Sequence, residues 1–196
     1  MRKNANKWKI AFFTLSGLVL LLVITVVLLF YKHFPEVSED HFIQQSPSMD
    51  EATFTIQTNK GRLNSLIASR IEQTPSEISY MVELQEDKVQ FRSAFRVLGQ
   101  EIPVTVNFLP EVVANGDLLL KVETFSLGLL SLPVEQVLQL ISGWIDFADW
   151  VVTYPVDRLV EIKVTEIRVN EKDTMHFRFT RFDLEQDIIE LEMIVE

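Results

Sequence analysis

The chain has 196 residues, no cysteine and a formal net charge of −10, with 47% of its residues apolar. That length suits one membrane anchor and one modest domain. The missing cysteine excludes disulfides, lipid attachment to Cys, thiol catalysis and Cys-ligated zinc, and the acidity argues against a nucleic-acid partner, whose phosphates would repel it.

Residues 1–9 carry Arg2, Lys3, Lys7 and Lys9 and no acid, and residues 10–31 carry no charge at all. At 1.5 Å per residue those 22 residues extend about 33 Å, enough to cross a hydrocarbon core of roughly 30 Å. Trp8 and Tyr31 flank the run, where amphipathic rings prefer to sit. Four cations on the N-terminal side orient that side toward the cytoplasm. A cleaved signal peptide would have an apolar region of about 7 to 15 residues and a small-x-small site, and "LFYKHFPE" offers none. The reading is therefore a cytoplasmic tail at 1–9, a single-pass anchor in the bilayer at 10–31, and an extracellular remainder. Taking the tail's four cations from 18 leaves 14 against 28 acids, so residues 32–196 carry −14. Anionic headgroups repel such a surface.

Residues 32–51, "KHFPEVSEDHFIQQSPSMDE", are polar with two prolines and read as a stalk before a domain at 52–196. "ATFTIQ" alternates Ala52, Phe54 and Ile56 as a strand does. Thr58 or Asn59 can cap a helix that places Leu63, Leu66, Ile67 and Ile71 on one face. "TPSE" ends it. Ile78, Tyr80, Val82 and Leu84 then alternate; "EDK" turns the chain, and Val89, Phe91, Phe95 and Val97 share the next face. Ile102, Val104, Val106 and Phe108 follow, with Pro103 pointing to a sheet edge or a bulge. Asn115-Gly116 is a strong hairpin signal. This is an antiparallel meander with one apolar face.

In the next strand Leu118, Leu120 and Val122 keep the alternation, but after Thr124 the phase slips to Phe125, Leu127 and Leu129. A period of two cannot slip without a bulge or a change of face, and Gly128 is a place to bend. From Pro133 the period becomes helical, through Val134, Val137, Leu138, Ile141, Trp144, Ile145 and Ala148. Neither half reaches the roughly 18 uninterrupted apolar residues of a second span. "WVVTYP" reads as a strand; so do Val160, Ile162 and Val164 continuing after a second slip at Thr165–Glu166 to Ile167 and Val169. "NEKD" turns the chain into Met175, Phe177 and Phe179; "FDLEQD" turns it into Ile189, Leu191, Met193 and Val195. The order helix-then-meander runs twice, over 59–129 and 133–195, without a residue-level repeat. The fold expected is α+β: a transmembrane helix, then a curved antiparallel sheet carrying two amphipathic helices.

"NKWKIAFF", "VLGQEIPVTVNFLPEVVANGDLLLKVETFSLGLLSLPVEQVL" and "FDLEQDIIELEMIV" resemble the YpmS-like proteins of low-GC Gram-positive bacteria, with "NGDLLL" and "LPVEQVL" carrying most of the likeness. The resemblance runs the length of the chain. It implies one N-terminal anchor, one small outside domain and a Gram-positive cell surface. The family is a domain of unknown function, so it assigns no catalytic or binding residue.

No nucleophile elbow, P-loop, H-E-x-x-H or EF-hand loop occurs, and no catalytic residue or cofactor is named. His33, Glu36, Glu39, Asp40 and His41 have metal-like spacing, but a metal needs fixed geometry and this cluster lies in the stalk, so it reads as a solvated linker. His176 reads as a surface histidine beside Arg178. The outside domain is rich in aromatics, and two readings compete. They form a core, or Phe91, Phe95, Phe108, Phe125, Leu129, Leu138, Ile141 and Trp144 line an apolar groove between helix and curved sheet. The expectation is a non-catalytic module binding a lipid or lipidated molecule there. The alternative is a protein-interaction scaffold for a membrane or envelope partner, its acidic surface meeting a basic one.

Overall fold

The computed structural model describes residues 4–33, 41–42, 52–74, 76, 78–97, 100–128, 132–167 and 175–195. Two compact units divide the chain, Met1–Glu36 and Val37–Glu196. The first is helix α1, Asn4–His33, which contains a 19-residue apolar stretch, Trp8–Val26, long enough to cross a membrane. Two threonines of that stretch turn their hydroxyls onto the helix backbone. Thr14 Oγ1 donates to the Ile10 carbonyl at 2.7 Å and Thr25 Oγ1 to Leu21 at 2.8 Å, the back-bonding that lets threonine sit in an apolar helix.

The second unit is an α+β domain. It runs β1 (Ala52–Thr58), α2 (Lys60–Gln73), β2 (Tyr80–Leu84), β3 (Val89–Val97), β4 (Gln100–Val112), β5 (Leu118–Leu127), α3 (Val134–Trp144), β6 (Val151–Tyr154), β7 (Leu159–Ile162), a 3-10 turn (Val164–Glu166), β8 (Met175–Asp183) and β9 (Ile188–Val195). Six strands, ordered β2-β3-β4-β5-β7-β6, form a curled antiparallel half-barrel; β1, β9 and β8 form a second sheet in that order. The expected doubling of helix plus meander is not what the chain does. Its last two strands lie outside the main sheet: β9 pairs with the first strand, Phe54 opposite Met193 and Ile56 opposite Leu191, and β8 pairs with β9.

The phase slip in β5 is a β-bulge. Asn107 pairs with Thr124 and Phe108 with Val122, so Glu123 is the extra residue. The shift lets Val122, Phe125 and Leu127 all face the side of Phe108, Val106 and Val104. The second expected slip is different. The strand stops at Ile162, and Val164–Glu166 wind into a 3-10 turn with Val164 buried; Val169 and "NEKD" lie outside the described residues. Pro103 is not on an edge strand either, since β4 lies between β3 and β5. The β4–β5 ladder begins only at Val104, so Pro103 stands where β5 has ended; Pro110, at the other end, lies past the β3–β4 ladder, which stops at Phe108. Each proline occupies a place where one neighbour is gone and no N–H is needed.

Helix α3 is strongly one-sided and buries Val134, Val137, Leu138, Leu140 and Ile141. Helix α2 is begun by Asn59, whose side chain accepts from the Arg62 N–H at 2.9 Å. It buries no residue completely. Leu63 and Ile67 touch the core, whereas Leu66 is 65% exposed. Leu63, Ile67 and Ile71 step four residues apart and stay within one stripe; Leu66 lies about 100° from its centre.

Candidate binding surface

The aromatic positions singled out in the sequence divide. Phe91, Phe95, Phe108, Leu138 and Ile141 are buried in one contiguous cluster with Val104 and Val106. Trp144 packs on it edge-on to Phe95, the ring centroids 4.7 Å apart. Tyr80 stacks on Phe91 and meets Phe147 edge-on. Phe125, opposite Val106 on β5, stays 37% exposed, and Leu129 lies outside the described residues. Inside the curl, the chain's own side chains occupy the space between α3 and the sheet.

Among the described residues, the small sheet carries a continuous apolar face that runs out into solvent. Three cross-strand rows share one of its faces. Thr58, Ile189 and Phe182 make the first; Ile56, Leu191 and Phe179 the second; Phe54, Met193 and Phe177 the third. The face runs from a buried corner to an open one, since Ile189 is fully buried and Phe179 nearly so, while Ile56 is 40% and Phe54 59% exposed. Leu191, Met193 and Phe177 between them are half-buried. The alternation of "ATFTIQ" marks β1 as a strand. Which partner it meets, and that its apolar side runs out beyond the core, needed the pairing with β9.

A second feature is polar and buried. Asp117, 2% exposed, accepts from the Thr165 N–H at 3.0 Å, the Thr165 hydroxyl at 2.9 Å and the Asn115 amide at 2.7 Å. It ties the β4–β5 turn to the 3-10 turn. Gly116, φ +94°, lets its carbonyl accept from the Phe179 N–H at 2.7 Å, joining the turn to β8. Nearby Glu161, 4% exposed, accepts from the Tyr154 hydroxyl at 3.1 Å. Burial pushes the Glu161 carboxyl above its usual range. Its partners hold this cluster closed, as a latch between elements rather than a reaction centre.

A shallow depression of about 300 Å³ opens at the seam of the two sheets, floored by Leu109, Phe182 and Leu184 and rimmed by Asp87, Asp183 and Glu185. Arg181 at its edge is held by Asp183 at 2.9 Å and Gln186 at 2.6 Å. The Gln186 N–H and then Arg181 hold the Asp183 carboxyl below its usual range.

Among the described residues no three His, Asp or Glu side chains are grouped to hold a metal. Of the histidine–acid cluster in the segment read as a stalk, Glu36, Glu39 and Asp40 lie outside the described residues, and His41 faces the domain instead. Its Nδ1 is 3.1 Å from Asp157, whose other oxygen accepts from the Phe42 N–H at 2.8 Å; Phe42 meets Tyr154 edge-on. His176 is half-buried, with Nδ1 3.3 Å from the Thr165 carbonyl.

The family described as "Uncharacterized protein conserved in bacteria (DUF2140)" matches residues 6–195. The Bacillus subtilis (strain 168) protein named "Uncharacterized protein YpmS" is 27% identical over 186 residues, which cover 94% of this chain and 95% of that one. No solved structure matches.

Proposed function

This chain belongs to the DUF2140 family of bacterial proteins, and from that premise we propose that it is a membrane-anchored binding module without catalysis of its own. Its N-terminus lies in the cytoplasm and its domain outside the cell. It takes an apolar ligand, a lipid or a lipidated molecule, on the open corner of the three-stranded sheet. One observation carries the reading: Phe54 and Ile56 stand 59% and 40% exposed at the end of a continuous apolar face. Folding gains nothing from leaving such side chains in water, and clustered exposure of this kind marks interaction surfaces.

Photo-crosslinking in membranes with a diazirine-bearing lipid, followed by peptide mapping, tests this. Label is expected on peptides of β1 and β9 as well as on residues 10–31. The double variant Phe54→Ser, Ile56→Ser should lose the first label and keep the second. Label confined to the anchor would sink the lipid reading.

A second reading is favoured by the seam depression. With Asp183 paired to Arg181, the carboxylates of Asp87 and Glu185 leave the rim of an apolar floor net negative, which fits a basic side chain of a protein partner. The charge reversal Asp87→Lys, Glu185→Lys should then abolish a specific protein crosslink while leaving lipid labelling unchanged.

A further inference from the structure

We propose that the chain pairs with a second copy of itself through the free edge of β1, antiparallel and centred on Thr55. Among the described residues β1 has β9 as its one strand neighbour, so its other side presents backbone N–H and C=O groups unused by the ladder. Proteins blunt such edges with charge, proline or a bulge. "ATFTIQT" has no charge and no proline, and its seven pairs with β9 run without a register shift. The opposite edge of the same sheet is engaged, because Phe179 on β8 donates to Gly116. Joining like edges about a two-fold axis uses up both, which closes a dimer and prevents a filament.

The occupant is a second copy because the strand is complementary to itself. With Thr55 opposite the partner's Thr55, Phe54 stands opposite the partner's Ile56 on the exposed apolar face. Aromatic against β-branched is a favoured cross-strand pair. The strand itself is uncharged, so the acidity of the two domains is not concentrated at the contact. Two open corners then merge into one apolar floor. The pairing stands without the lipid reading, since it rests on the strand edge and not on a ligand.

The absence of cysteine makes the test direct, because one introduced thiol reports on one position. Directly opposed residues of an antiparallel pair have Cα atoms about 4.5–5.5 Å apart, inside the roughly 4.4–6.8 Å that a disulfide spans. Full-length Thr55→Cys, oxidised mildly in native membranes, should give a disulfide-linked dimer about tenfold above that of Gln57→Cys, whose symmetry mate lies four residues along the strand, beyond disulfide reach. The double variant Thr53→Cys, Gln57→Cys should restore the link. Adding Ile56→Lys to Thr55→Cys should lower it about tenfold, and because Ile56 is already exposed the fold should persist. Equal crosslinking at 55 and 57, or a Thr55→Cys chain that stays monomeric, overturns the proposal. The monomeric result would mean that the chain's own preceding segment or another partner covers the edge.

Discussion

Single residues at the latch set what the domain tolerates. A Cβ on Gly116 would fall 2.3 Å from the Arg178 Cβ, and the residue sits at φ +94°. Gly116→Ala must move β8 or the turn; we expect a loss of about 2–4 kcal/mol, read as a lowered urea midpoint. The Asn-Gly pair was legible as a turn. Its contact with β8, more than 60 residues later in sequence, was not. Glu161 gives a pH signature. A carboxyl whose folded pKa is raised binds its proton more tightly in the native state. Its contribution is intact below the unfolded pKa and is lost as pH rises through the folded value. Glu161→Gln keeps an acceptor for Tyr154 and removes the buried charge. It should raise Tm by about 2–4 °C at neutral pH and leave it unchanged near pH 4, a comparison that calorimetry at the two pH values decides.

At the scale of elements, the two helices of the domain look alike in sequence and differ in what they hold. Leu138 on α3 is 1% exposed inside the curl, while Leu66 on α2 is 65% exposed. Leu138→Ala should therefore cost about 2–5 kcal/mol. Leu66→Ala should change stability by less than about 0.5 kcal/mol. Denaturant titration of both variants checks the contrast. Helical periodicity found both helices and most of α3's buried face, because a single stripe of seven apolar residues leaves one way to pack. On α2 the sequence offered Leu66 as readily as Ile71, and the choice fell to which stripe meets the sheet. The slip near Thr124 was legible for a similar reason: a period-two pattern carries its own register, so a break in it predicts the bulge found at Glu123. The slip near Thr165 was not, since a 3-10 turn and a bulged strand leave the same trace over a few residues.

For the whole molecule, the docking of His41 and Phe42 on Asp157 ties a segment early in the domain unit to a hairpin more than 100 residues on. The Phe42 N–H first, and the His41 ring second, hold the Asp157 carboxyl below its usual range. A lowered folded pKa means that the contact is present above the unfolded pKa and lost as pH falls through the folded one. Acidification below the carboxylate range should release the segment. The protection factor of the Phe42 amide, its rate relative to the intrinsic rate at the same pH, should fall there, with Asp157→Ala lacking that protection at every pH. Protection of Phe42 that persists into acid would disprove the link. The sequence reading placed this segment in a stalk because two prolines and a run of polar residues carry no periodic signal; Asp157 and Tyr154, both distant in sequence, hold His41 and Phe42.

The sequence by itself determined the N-terminal apolar helix long enough to cross a membrane, the α+β class, the strand and helix periods and the bulge. Each is a local pattern: an uncharged run as long as a bilayer is thick, or an apolar residue every two or every 3.6 positions. The tertiary structure alone decided which apolar residues are core and which are surface. Phe91 and Phe54 sit in strands of the same alternating pattern, yet one is 5% and the other 59% exposed. What separates them is the neighbour that each strand acquires. Phe91 lies on β3, between two strands and within the core cluster, and Phe54 lies on a terminal strand whose partner arrives from the far end of the chain. Burial is a property of pairing across long sequence separation, and no window along the sequence contains it.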